Sequence, residues 1–380
     1  MRRTNKIPRY TLSKNKVKKL IDNGAAAGIQ SLSFTGGEPL LYIDDIVELI
    51  QYATAGGIPY IRTGTNGFFL MGSEQPNFEK KISIIAEKLA STQLYTFWIS
   101  LDSANPMDHE SLRGLPGVVK GIEKALPIFH DHGIYPSVNL GINRATGGLD
   151  NQPYLESMDG AEFEESFRSA FERFYGFVES LGFTIVNACY PMSDHVESNL
   201  DSSLYGAASS ESIITFSKTE KELIFSALFA TIPNFRGRLR IFSPRCSLYS
   251  LIKKFKGNHN PLFSCRGGSD FFFVDSEKGA INPCGYLNNP LEKIPNLTQR
   301  NTDVKDCDQC EWECFRDPSD LMSPFAELFT QPIKLLGKIL RDPYFFRILQ
   351  NDLRYYKACG FFNGRQAPNF TKMGHFSSTF

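Results

Sequence analysis

From Ser13 to about residue 235, short apolar runs alternate with longer stretches of helical period, which marks repeated βα units and a parallel sheet. The pattern predicts a helix over residues 13–27 with Ser13 as its N-cap, then a buried strand over Ser31–Phe34. A second helix follows, keeping Ile43, Ile46, Val47, Leu49, Ile50 and Ala53 on one apolar face. Further strands are predicted over Tyr60–Thr65, 95–101, 136–142 and 183–189, each separated from the next by a helix-sized segment. Phe163, Phe167, Ala170, Phe171, Phe174 and Val178 recur at helical spacing and read as core. Five such strands suit either an open doubly wound sheet or part of a (β/α) barrel. In both, the loops after the strands' C-terminal ends carry the chemistry.

Residues 146–160 and 193–215, rich in Gly, Ser, Asn and Asp, read as long loops over that end of the sheet. The βα rhythm stops near residue 245. A division follows into an α/β unit over 1–245, a cysteine-rich module over 246–318 and a helical, aromatic-rich tail over 319–380. The tail carries Lys334, Lys338, Arg341, Arg347, Arg354 and Lys357 at roughly helical spacing, and is expected to pack on the body rather than lie on a membrane.

Charge narrows the function classes. The 380 residues hold 41 Lys and Arg against 41 Asp and Glu, so electrostatic nucleic-acid binding is not the default. Apolar residues at 42% suffice for a core. No apolar run is long enough to span a membrane and no secretory signal opens the sequence, so a cytoplasmic location with reduced thiols is expected. Five of the eight cysteines crowd between Cys265 and Cys314, as metal or cluster ligands do in a reducing compartment.

The most informative stretch runs Leu32-Ser33-Phe34-Thr35-Gly36-Gly37-Glu38-Pro39, a strand leading into two glycines, a carboxylate and a proline. Glycines let the backbone approach a ligand closely, and Glu38 adds a fixed negative charge. This segment resembles the radical S-adenosylmethionine (SAM) enzymes, in which a GGEP motif contacts the methionyl amino group of the cofactor. Three further segments fit in the same order: Thr65-Asn66-Gly67 after the next strand, Ser100-Leu101-Asp102 closing the third with His109 and Arg113-Gly114 behind it, and Asn139 in the fourth. The resemblance covers residues 13 to about 235. It implies an α/β fold with a partial, six-stranded (β/α) TIM-like barrel lacking its first strand. SAM would be held by Gly36, Gly37, Glu38, Pro39, Asn66, Ser100, Asp102, Arg113 and Asn139.

The second constellation is Cys265, Cys284, Cys307, Cys310 and Cys314. Thiolates in a C-x2-C turn aim at one centre and hold an iron-sulfur cluster or a zinc ion. The spacing resembles the SPASM and twitch modules that follow radical-SAM barrels, which implies an auxiliary [4Fe-4S] cluster on Cys265, Cys284, Cys307 and Cys310 with Cys314 as a spare or substitute. The family's C-x3-C-x2-C motif, which holds the radical-generating cluster, would fall just upstream of Met1, since no cysteine precedes Cys189. An N-terminally shortened chain is expected, with that cluster present only if the motif exists upstream.

In the family a reduced cluster splits SAM to a 5'-deoxyadenosyl radical that abstracts a substrate hydrogen. The resemblance therefore implies an enzyme acting on a peptide or small molecule and fed by an electron donor such as flavodoxin or ferredoxin, with no nucleic-acid or membrane partner. The alternative is a non-catalytic iron-sulfur scaffold, electron carrier or structural zinc protein using only the C-terminal cysteines. A zinc-dependent barrel hydrolase is disfavoured because the six histidines do not cluster.

Overall fold

The computed structural model describes residues 10–150, 152–191, 212–257, 261–287, 289–295, 307 and 311–377. Most of the 193–215 loop and Cys310 lie outside these residues. Helix α1 (Lys14–Ala26) leads into β1 (Ser31–Phe34), α2 (Ile43–Ala55), β2 (Tyr60–Thr65), α3 (Phe78–Ala90), β3 (Leu94–Ser100), α4 (Pro106–Arg113), α5 (Val118–Asp131), β4 (Ser137–Gly141), α6 (Gly160–Leu181), β5 (Ile185–Cys189), α7 (Lys218–Phe235) and β6 (Arg240–Ile241). Then come α8 (Arg245–Phe255), an antiparallel hairpin of β7 (Phe273–Val274) and β8 (Ile281–Asn282), α9 (Glu313–Thr330), α10 (Pro332–Arg341), α11 (Pro343–Ala358) and α12 (Phe370–Gly374).

Strands β1 to β6 form one parallel sheet in sequential order, an α/β architecture consistent with a partial TIM-like barrel. Strand β6 is an addition to the sequence reading; two residues are too few to show a period. The predicted start at Ser13 holds. Ser13 caps α1 by accepting the Lys16 N–H, and α6 opens on a reciprocal capping box between Asp159 and Glu162.

Strand parity sorts the side chains. Ile61, Phe97, Ile99, Val138, Leu140, Val186 and Ala188 are buried in the main core beneath the crossover helices. The opposite parity carries polar or accessible residues in register: Gly64 beside Trp98, Trp98 beside Ser137, and Ser100, Asn139 and Asn187 in one row across β3, β4 and β5. A Cβ at Gly64 would overlap the Trp98 indole, so glycine is what lets that ring lie across β2.

The N-terminal edge of this sheet is sealed by the C-terminal segment. Gly364 donates its N–H to the Tyr95 carbonyl (2.9 Å), Tyr135 N–H donates to the Gly364 carbonyl (2.7 Å), and Arg240 reaches the carbonyls of Asn363 (3.1 Å) and Gln366 (2.9 Å). The turn requires positive φ at Phe361 (51°) and Phe362 (60°), a conformation bulky residues adopt only when their surroundings fix it. Here Phe362 is buried against Phe242, Tyr355 and Tyr356.

The expectation that the tail packs on the body holds for α11, whose Phe345, Ile348, Leu349, Tyr355 and Tyr356 are buried. It fails for α10. Only Leu335 of that helix is buried, and Ile333, Leu336 and Leu340 face solvent, because the apolar positions cover more of the helix circumference than the body does. Among the described residues, no helix is long and apolar enough to cross a membrane.

Candidate functional site

Four sequence-predicted segments meet at the C-terminal ends of β1 to β4. After β1, Gly36 and Gly37 adopt positive φ (85° and 53°), and a Cβ on either would meet nothing within 4 Å, so their exposed peptide groups border open space. Glu38 then caps the short turn Pro39–Tyr42. One carboxylate oxygen accepts the Leu40 N–H (3.1 Å) and the other the Asn66 N–H (2.7 Å), which ties the end of β1 to the loop after β2. Burial raises the Glu38 carboxyl above its ordinary range, and those two N–H groups, the Thr65 hydroxyl and the charge of Arg113 recover only part of the loss. Its charged neighbour Arg113 is already held by Asp102, which leaves room for a second counter-charge. A cationic ligand group, such as the ammonium or sulfonium of SAM, would supply one.

The Asn66 side chain accepts the Phe68 N–H (2.9 Å), shaping the turn Phe68–Leu70. Asp102, just past β3, is gripped in bidentate fashion by Arg113 at the end of α4, with Nε at 2.6 Å and Nη2 at 2.8 Å. It also accepts the Gly141 N–H (3.2 Å), bracing β3 against β4. Burial alone would raise the Asp102 carboxyl, but Arg113 overrides it and holds the group at about 2. The pair is therefore an ionised clamp that fixes the loop between β3 and α4.

Behind it, the Asp102 N–H donates to Nδ1 of buried His109 (3.1 Å), whose Nε2 has no partner among the described residues. Burial pushes this imidazole down to about 4, with Asp102 opposing the shift. Folded His109 is thus neutral down to about pH 4, whereas the unfolded chain takes up this proton near 6.5. The unfolded chain binds more protons between those values, so the stability tied to neutral His109 is full above pH 6.5 and is lost as pH falls to about 4. The unfolding free energy of the wild type minus that of His109→Gln should shrink by roughly 3 kcal/mol over this window in denaturant titrations. A difference flat with pH would rule His109 out as the source.

Ser100 and Asn139 stand side by side in register, as the motifs suggested, and Asn187 of β5 continues their row. Asn187 escaped the sequence reading, although Val186-Asn187 repeats the Val138-Asn139 pattern at the same strand position. Its buried Oδ1 has no partner among the described residues, an orphan acceptor on the accessible side of the sheet. Cys189, at the end of β5, and Cys314, in the first turn of α9, were also not read together. The Glu313 carboxyl hydrogen-bonds both thiols and accepts the Tyr190 N–H (3.2 Å). Burial raises the Cys189 thiol and the Glu313 carboxyl, and Cys314 is the exposed member of the group.

Three of the C-terminal cysteines are neighbours. The Cys265 N–H donates to the Cys307 carbonyl (3.2 Å), and the Cys284 thiol feels both Cys265 and Cys307. Burial raises Cys265 and Cys284, opposed by backbone N–H groups of Gly267 for the first and of Tyr286 and Leu287 for the second. Buried thiols with N–H donors aimed at sulfur are the donor chemistry a cluster or soft metal uses. Cys314 lies with Glu313 and Cys189 instead. Among the described residues, no three His, Cys, Asp or Glu side chains converge closely enough to hold a metal ion.

No family model matches the chain. Among curated proteins, the chain is similar to the AdoMet-dependent heme synthase of Nitratidesulfovibrio vulgaris, 23% identical over 275 residues that make up 72% of this chain and 65% of that protein. It is 26% identical to the enzyme of the same name from Methanosarcina barkeri, over 75% of this chain and 71% of that protein. A probable GTP 3',8-cyclase from Methanococcus maripaludis is 30% identical over 120 residues, 31% of this chain and 36% of that protein. These relatives are radical SAM enzymes, and the chain is homologous to them. It spans about two thirds of the length of the heme synthases it matches.

Proposed function

We propose that this chain binds SAM at the C-terminal ends of β1 to β4 and carries an auxiliary [4Fe-4S] cluster on Cys265, Cys284, Cys307 and Cys310, in a protein that abstracts hydrogen from a peptide or small-molecule substrate. The observation that carries the reading is the bonding of Glu38 to Asn66 and of Asp102 to Arg113 and Gly141 at four neighbouring strand ends, with a Glu38 carboxylate whose burial is only partly compensated. In this reading Glu38 takes the cofactor's positive end, the peptide groups of Gly36 and Gly37 border it, and Ser100, Asn139 and Asn187 offer hydrogen-bonding groups to its ribose or to substrate. The clamp of Asp102 and Arg113 keeps the loop after β3 in place. Bound SAM and its partner cluster supply the radical chemistry.

Equilibrium dialysis of the full chain with labelled SAM tests the first half. Saturable binding is expected, weakened about tenfold or more by Glu38→Gln as a charge-assisted contact is lost; a wild-type chain that does not bind SAM refutes it. Anaerobic iron and sulfide analysis tests the second half. About four irons and four sulfides per chain are expected, reduced by Cys265→Ser or Cys284→Ser and unchanged by Cys314→Ser. Stoichiometric zinc without iron would overturn the cluster.

A further inference from the structure

The outer face of the corner between α9 and α10 is apolar and open. Met322, Phe325 and Phe329 follow helical spacing along the end of α9, with Leu328 beside them, and Ile333, Leu336 and Leu340 do the same along α10. Phe329 is 85% exposed, Ile333 87% and Leu340 75%. Isolated apolar side chains on a surface need no explanation, but seven large exposed ones on two consecutive helices mark an interaction site.

The charges beside this face are mostly positive. Helix α10 reads Pro-Ile-Lys-Leu-Leu-Gly-Lys-Ile-Leu-Arg, with three cations and no acid. Lys334 and Arg341 are exposed next to the apolar stripe, exposed Arg347 follows on α11, and Lys338 between them is turned inward over Phe263. The single acid on the final ten residues of α9, Glu327, is joined to Lys338. Because the whole chain has no net charge, this excess is local. A second copy of the chain would bring the same cations to the face, whereas anionic headgroups would neutralise them while acyl chains receive the Phe, Ile and Leu side chains.

We propose that the corner of α9 and α10 is a docking surface for an anionic lipid bilayer, with α10 lying in the plane of the interface and Phe329, Ile333, Leu336 and Leu340 inserted. This places the protein on a membrane surface without any spanning helix, and it stands apart from the reading of the cofactor site.

Co-sedimentation of the full chain with vesicles of phosphatidylcholine containing roughly a quarter phosphatidylglycerol tests it. Binding is expected, falling as salt is raised from about 0.1 to about 0.5 M. The double variant Ile333→Glu with Leu336→Glu should bind at least about tenfold more weakly, with an unchanged circular dichroism spectrum and melting temperature because both side chains already face solvent. No binding to these vesicles, equal binding to pure phosphatidylcholine, or unchanged binding by the double variant would overturn the proposal. So would a wild-type dimer in analytical ultracentrifugation that the double variant splits, since the face would then belong to a second copy.

Discussion

Replacing Arg113 with methionine should lower the unfolding free energy by about 3–5 kcal/mol and abolish SAM binding. The side chains of Arg113 and Asp102 are 17% and 8% exposed, so the variant strands a carboxylate where water cannot fully solvate it. The loss should be far smaller when Asp102→Asn is added, because the orphaned charge disappears with its partner, and this non-additivity separates a broken clamp from lost packing. Acidity supplies a further check. The folded Asp102 carboxyl titrates at about 2 against 3.8 for a free one, so the clamp's contribution is complete above about pH 4 and is lost as pH falls through 2. Denaturant unfolding of the two single variants and the double variant at neutral pH and at pH 3 measures all of this. A loss below about 1 kcal/mol for Arg113→Met at neutral pH would place the pair among ordinary surface ion pairs.

Gly121→Ala should be the most damaging exchange of one small residue for another. In most helix interiors alanine is favoured over glycine by about 1 kcal/mol. At Gly121 of α5 the added methyl would overlap the Leu70 carbonyl oxygen, which the turn after Asn66 holds in place. Backbone cannot step aside as a side chain can, so a loss of about 3 kcal/mol is expected, together with weaker SAM binding as the Asn66 turn is displaced. Gly176 of α6 is the matched control. It is also in mid-helix, but a Cβ there meets nothing within 4 Å, and Gly176→Ala should raise stability by about 0.5–1 kcal/mol. Opposite signs at the two positions in thermal melts would show that close approach rather than helix propensity decides the outcome, and a stabilised Gly121→Ala chain would contradict it.

Much of the sheet was legible because each βα unit writes its own period into a short window: the Ser13 cap, the strand Ser31–Phe34 and the aromatic face of α6 are all local statements. Glu38, Asn66 and Asp102 were legible for a related reason, since each sits beside a strand end that its motif also marks, and Arg113, at the end of α4, is marked by its spacing from Asp102. What escaped depends on contacts between distant segments. Nothing near Cys189 announces Glu313 and Cys314, which reach it from α9. Nothing in Gly360-Phe361-Phe362 announces a turn forced to positive φ by burial against Phe242 and Tyr355. Strand β6 is too short to carry a pattern and exists because Arg240 and Ile241 pair beside Ile185 and Val186 of β5. The solvent-facing side of α10 was not legible, because a helical stripe records which residues are apolar and not what, if anything, covers them.

The seal on the sheet's N-terminal edge has a consequence for synthesis. Tyr95 and Phe361 are joined across 266 residues of sequence. When α3 and β3 emerge from the ribosome, the carbonyls and aromatic rings at the foot of the sheet have no cover, and they stay uncovered until residues 360–366 have been made. Closure over so long a separation is slow, and the unfinished sheet presents unsatisfied backbone to other nascent chains meanwhile. Production at low temperature with chaperone support should therefore raise the soluble yield of this protein more than it does for α/β proteins whose sheets are closed by neighbouring segments.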